Sequence, residues 1–350
     1  MYLPRPLAGC VLVPVILVTL AACSSLEVAL GLRVRLDKLP VTSIAASLAD
    51  KGNPGPVAAL APGTSARLVI VATTQDGKQL VTAGAGHGKV LLDSFIFTPT
   101  LVQLGKRGKV TLPADPRISD GKVASIHITT VGHPEVATDL DISVRYDAAF
   151  VANFSGSDGS RGFDGTDGLD GLAGADGTSS PPDPNTGLPG PAGPGGNGSS
   201  GGNGGDGSDG GDGSPGADVH VYLRLKPGTD GVLQSKVTAG GRDSYYLIDG
   251  HGGSLRVMAD GGAGGAGGLG GRAGRGGAGG SGQPDGLAGP DGLAGLDGRR
   301  GSDGAAGTIA VHVDPAAQPF LSILRLSNHS GSGRPGPAPT FVVEPVAPLW

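Results

Sequence analysis

At 350 residues the chain has room for two or three domains, and its formal charge of −5 is modest. Gly (68) and Pro (28) fill more than a quarter of it and aromatic residues only 4%, so any core must be built from Val, Leu, Ile and Ala. No Lys lies between Lys122 and Lys226 and no basic block occurs elsewhere, which excludes the clustered Lys/Arg footprint of a nucleic-acid binder.

Residues 1–22 carry one positive charge, Arg5, and then an apolar run from Leu7 to Ala22, the layout of a secretory signal peptide. The run is shorter than the ~20 residues of a spanning helix, and Pro14 weakens a helical reading. It ends in Leu20-Ala21-Ala22-Cys23. This tetrapeptide resembles the bacterial lipobox. The resemblance implies cleavage before Cys23, a lipid thioether on the Cys23 sulfur, and membrane lipid as the first partner. With Ser24 rather than Asp next in line, it also implies outer-membrane delivery in a Gram-negative envelope. Two or more acyl chains make such an anchor stable. Cys10 leaves with the leader, so the mature chain has no internal disulfide.

Residues 23–150 read as strands. Val28, Leu30, Leu32, Val34 and Leu36 alternate with smaller or polar residues, as do Leu140, Ile142, Val144 and Tyr146. Between them lie the strand-like segments 68–71, 80–82, 90–97, 110–112 and 124–131. Asp76-Gly77 and Asp120-Gly121 are hairpin-type turn signals. This predicts a β-sandwich, with an Ig-like arrangement possible although the Cys…Trp…Cys signature is missing.

From residue 156 to 307 Gly keeps a three-residue phase in four runs of similar length: 156–177, 196–216, 262–282 and 286–307. A flexible linker has no reason to keep phase, whereas three is the repeat of a polyproline II helix, on which Gly leaves one bare face. The runs resemble collagen repeats, which implies a three-chain stalk. Composition favours a bundle folded from one chain instead: 156–177 contains no Pro, and 262–307 contains only Pro284 and Pro290. Runs two and three carry many Gly-Gly pairs and so present two bare faces. They are expected inside the bundle, with runs one and four outside. Strand-like segments flank each pair of runs, so each pair is expected to leave and re-enter one sheet.

The expected fold is therefore mainly β, with little or no α-helix outside the leader. A leader at 1–22 and a sandwich at 23–150 are followed by a first glycine-rich hairpin at 151–216 and strands at 217–261. A second hairpin at 262–307 leads to strands and a Pro-rich tail at 308–350.

Recognisable catalytic chemistry is missing. Gly198-Ser199-Ser200-Gly201-Gly202 fits G-x-S-x-G only inside a glycine repeat, without the strand-to-helix setting of a nucleophile elbow. The seven histidines are scattered, and His220 and His312 read as exposed strand residues. Columns of Asp before Gly read as a solvating acidic face, because successive positions ~9 Å apart are too far for one column to wrap Ca²⁺. No catalytic residue, metal site or cofactor is expected. The expectation is a non-catalytic envelope lipoprotein with an envelope or extracellular partner, more readily a monomer than a collagen-type trimer. The alternatives are a binding module for a glycan, a protein or a repetitive ligand such as ice, and a collagen-like trimeric stalk.

Overall fold

The computed structural model describes residues 32–50 and 57–350, together with Val28 and Leu30. The fold is mainly β. Two compact units form, one of residues up to Ala148 with Tyr245–Gly253 and Trp350, the other of Ala149–Ser244 with Ser254–Leu349.

The first unit holds β1 (Val41–Ala49), β2 (Ala59–Leu60), β3 (Ser65–Thr74), β4 (Gln79–Val81), β5 (Phe95–Thr100), β6 (Gln103–Gly105), β7 (Lys109–Thr111), β8 (Ala124–Thr130) and β9 (His133–Val144). One sheet runs β1-β3-β7-β6 with β4 beside β3, and the other runs β2-β9-β8-β5. Alternate residues of β3 and β8 point inward, so Leu68, Ile70, Ile126 and Ile128 from the two sheets share one core with Ile44, Leu48 and Ile142. Each such side chain contributes roughly 1.5–3 kcal/mol by leaving water.

Two local expectations fail in this unit. Among the described residues of 28–36, only Val34 joins a ladder, as an isolated bridge to Val90; the first strand is Val41–Ala49. That strand was hidden because a register shift between Val41 and Ser43 breaks its alternation. Asp120-Gly121 closes no hairpin. It follows a helical turn, Pro116–Ser119, in the connection between β7 and β8, which lie in different sheets.

The second unit adds β10 (Ala149–Asn153), β11 (Val219–Leu225), β12 (Val232–Ala239), β14 (Ser254–Met258), β15 (Ile309–Val313), β16 (Leu324–Ser327) and β17 (Thr340–Val343), while β13 (Arg242–Asp249) is divided between the units after Ser244. A three-stranded parallel sheet runs β10-β14-β16, and a five-stranded sheet runs β13-β12-β11-β15-β17. Each glycine hairpin therefore leaves one sheet and enters another, rather than returning to its own. Run one continues β10 and run two leads into β11; run three continues β14 and run four leads into β15. Val219, Val221, Leu223, Ile309, Val311 and Val313 are buried on one side of the five-stranded sheet.

The strand register carries straight into the glycine runs. β10 pairs with β14 at Ala149↔Ser254, and beyond the sheet Gly159 N–H donates to the Ala263 carbonyl, Gly162 to Ala266 and Gly165 to Leu269, on to Gly177 and Ser281. Run two runs antiparallel to run one, with Gly202 N–H to Leu169 O and Gly211 N–H to Ser160 O. It also runs parallel to run four, with Gly198 N–H to Leu287 O and Gly210 N–H to Arg299 O. Run three donates to run two, as in Gly268 N–H to Ser208 O, and run four donates to run three, as in Gly292 N–H to Gly274 O. Runs two and three thus each bond to three others, while runs one and four bond to two. The Gly amides of each run find their acceptors in neighbouring runs, which satisfies backbone groups that close packing would otherwise leave unpaired.

Close packing explains the Gly rows. A Cβ at Gly168 would fall on the Gly202 carbonyl, one at Gly271 on the Thr166 carbonyl, and one at Gly201 on the Gly274 carbonyl.

A third, truncated repeat follows. β16 lies parallel to β14, and its continuation accepts Ala259 N–H at Ser327 and Gly261 N–H at His329. The chain then turns at Ser330–Arg334 and returns as β17, parallel to β15. The Pro-rich tail therefore contains a strand, Thr340–Val343, paired with β15. The reason that no long third hairpin forms is legible in run four. At the positions where run two carries Gly198, Gly201 and Gly204, run four, in the same register, carries Ala288, Asp291 and Ala294. The bare row on which another rod would pack is filled with side chains.

Candidate interaction surface

The Asp columns do not form a purely solvating face. In run one, Asp158, Asp164, Asp167, Asp170 and Asp176 each accept a backbone N–H of run three, from Ala263, Leu269, Arg272, Arg275 and Ser281, at 2.7–2.9 Å. In run two, Asn197, Asn203, Asp206, Asp209 and Asp212 do the same for run four at 2.6–2.8 Å. In run four, Asp303, Asp297, Asp291 and Asp285 accept from Gly264, Gly270, Gly276 and Gly282 of run three. Each carboxylate supplies the acceptor that a neighbouring carbonyl does not. Among the described residues no group of His, Cys, Asp and Glu could hold a metal ion.

This frame leaves large apolar side chains pointing outward. Phe163, Leu169 and Leu172 on run one are 84%, 83% and 78% exposed, and Leu287, Leu293 and Leu296 on run four are 72–73% exposed. Their backbones are pinned: Phe163 N–H donates to Ser208 Oγ and Leu172 N–H to Ser199 Oγ, both at 2.7 Å. Leu287, Leu293 and Leu296 donate to Asn197, Asn203 and Asp206. The ladders also set their heights. Leu172 accepts from Ser199, whose carbonyl takes Gly277 N–H, and the Gly277 carbonyl takes Gly289 N–H. The apolar stretches of runs one and four therefore stand at matching levels along the bundle. Leu188 in the tip loop is also exposed. Sequence reading did not single these residues out; their signal was a large apolar residue directly after a phased Gly.

A second cluster lies on the five-stranded sheet. Cross-strand pairing sets Tyr222 of β11 beside His312 of β15 and Lys236 of β12. The Tyr222 and His312 rings stack at 4.8 Å, and His220 stacks on His312 at 5.8 Å. His312 Nδ1 meets Glu344 Oε1 at 2.6 Å, and Lys236 Nζ meets Asp243 Oδ2 at 2.9 Å. His312 is therefore largely covered, not an exposed strand residue, and its Nε2 is buried without a partner among the described residues. A pocket of about 250 Å³ opens here, lined by Tyr222, Lys236, Glu344, Pro345, Val346 and Pro348 among others.

Where the bundle meets the sheets, two carboxylates are perturbed. The Thr308 hydroxyl and N–H hold Asp218 below its ordinary value. Burial pushes Asp260 up, but the His329 N–H, the Ser327 hydroxyl and the His329 ring outweigh it, and the net shift is downward. Cys23 and the leader lie outside the described residues, and among those described no helix is long and apolar enough to cross a membrane. The chain matches no family model, no curated protein and no solved structure.

Proposed function

We propose that this chain is a lipid-anchored, non-catalytic envelope protein whose glycine runs are polyproline II rods bundled into a stiff interaction arm. The carrying observation is the set of exposed Phe and Leu side chains on runs one and four, held by a hydrogen-bonded frame. Apolar side chains on a frame that does not need them for packing mark a contact surface for a partner. The lipobox resemblance at Leu20–Cys23 supports anchoring through Cys23, with the outer membrane as the proposed address.

Intrachain pairing of all four runs supports a monomer over the collagen-type stalk, because their Gly amides already have acceptors in the same chain. The pocket beside Tyr222, lined by Lys236 and Glu344, supports the glycan-binding alternative.

Two experiments test the reading. Mass spectrometry of the mature protein should find lipid on Cys23, and Cys23→Ser should move the chain from the membrane to the soluble fraction. Photo-crosslinking from the Leu169 position in intact cells should give a discrete adduct that Phe163→Ser and Leu172→Ser together abolish. Labelling that is identical with and without these serines would sink the interaction-arm reading.

A further inference from the structure

The pocket beside Tyr222 has features of its own, independent of the rod face and of the lipid anchor. Its lining holds two charged side chains of opposite sign: Glu344, which is hydrogen-bonded to His312 Nδ1, and Lys236, which pairs with Asp243. Lys236 and Glu344 offset one another, so the lining itself has no net charge to demand an ionic ligand. Both still offer hydrogen bonds, one as an acceptor and one as a donor. The Tyr222 hydroxyl has no hydrogen-bond partner among the described residues, so it offers both. The remaining wall is apolar and stiff, with Pro345, Val346 and Pro348. At about 250 Å³ the space falls below the ~300–1,000 Å³ of drug-sized sites and suits a single ring.

The ring stack behind the pocket is costly to keep. A buried imidazole nitrogen without a partner destabilises a fold, and His312 Nε2 is in that state among the described residues. An apolar residue there would avoid the cost. What His312 does is hold Tyr222 by stacking and orient Glu344 by its Nδ1, so its role is to position the two side chains that line the pocket.

We propose that this pocket binds one neutral, polyhydroxylated ring, a single sugar residue, through Tyr222, Lys236 and Glu344. A sugar matches the balance of donors and acceptors without adding net charge, and its apolar C–H face suits the proline wall. Terminal residues of a polysaccharide chain would present such a ring.

Saturation-transfer NMR on the full chain tests this, with glucose, galactose, mannose and N-acetylglucosamine as probes at millimolar concentration. The expected result is transfer to at least one of them, with affinity about tenfold weaker in Lys236→Met and in Tyr222→Phe, the loss of one hydrogen bond each. Tyr222→Phe keeps the ring stack, so it reads the hydroxyl alone, and an unchanged melting temperature certifies the fold. Three results overturn the proposal: no transfer to any of the four sugars from the folded wild type, wild-type affinity in both variants, or transfer only to charged probes such as free glycine and lysine.

Discussion

Asp164 Oδ1 takes the backbone N–H of Leu269 at 2.9 Å across a separation of 105 residues, the same offset that pairs Ala149 with Ser254 in the sheet below. One register therefore runs from the hydrogen-bonded strands into rods that have no internal ladder. The side chain at the position before Gly acts as a backbone acceptor in side-chain form. Asn197 and Asn203 occupy the equivalent place in run two, which shows that an oxygen is needed there and a charge is not.

This separates hydrogen bonding from charge. Asp167 accepts Arg272 N–H at 2.8 Å. Asp167→Ala should destabilise the bundle by about 1 kcal/mol, while Asp167→Asn should stay within about 0.5 kcal/mol of wild type. Thermal unfolding in parallel reads both; equal losses would mean that the carboxylate works through its charge.

Steric intolerance should be confined to the packed rows. Gly168→Ala places a methyl group on the Gly202 carbonyl, so the rods must separate locally, at a cost of about 3 kcal/mol or more. Ala294→Ser, on a row of run four that already carries side chains, should cost less than about 0.5 kcal/mol. A melting temperature for Gly168→Ala close to that of wild type would be incompatible with the packing described.

Amide exchange should show the triplet directly. In run one the amides of Gly159, Gly162, Gly165 and Gly168 are bonded to run three. They should exchange slowly, and the intervening Arg161 and Ala173 amides fast. Hydrogen-exchange NMR that found every amide of 156–177 equally fast would remove the ordered rods.

Acid should loosen the base of the bundle first. Asp218 and Asp260 have folded-state values below their ordinary 3.8. A depressed carboxylate contributes stability that is complete above its unfolded value and is lost as pH falls through the folded one. The melting temperature should therefore drop as pH is lowered below about 4, and Asp218→Asn combined with Asp260→Asn should flatten that slope. A slope unchanged in the double variant would place the acid sensitivity elsewhere.

Much of the bundle was legible before any coordinates. Gly-Gly pairs such as Gly264-Gly265 leave two bare faces, and a rod with two bare faces can have more neighbours than a rod with one; runs two and three are the ones with three. The alternation in 124–131 and 140–146 marked β8 and β9 for a related reason, since a half-buried strand writes its burial in every second residue. The first strand was missed because its register shift erased that signal. The Asp columns were misjudged as solvating because spacing along one rod says nothing about the rod beside it. The Tyr222 pocket was invisible because Tyr222, Lys236, His312 and Glu344 are distant in the chain and meet only through pairing of β12, β11, β15 and β17.

The order of residues alone determined the triplet phase and the lengths of the runs, since a period is written along the chain, whereas the carbonyls that forbid a Cβ belong to neighbouring runs, as Gly202 does for Gly168. Only the tertiary structure decided which run lies beside which, that the hairpins pass between two different sheets, and that a third repeat stops at Ser330–Arg334. Those outcomes depend on which carbonyl each unpaired amide finds, and the nearest acceptor in space is 105 residues away in one rod pair and 90 in another.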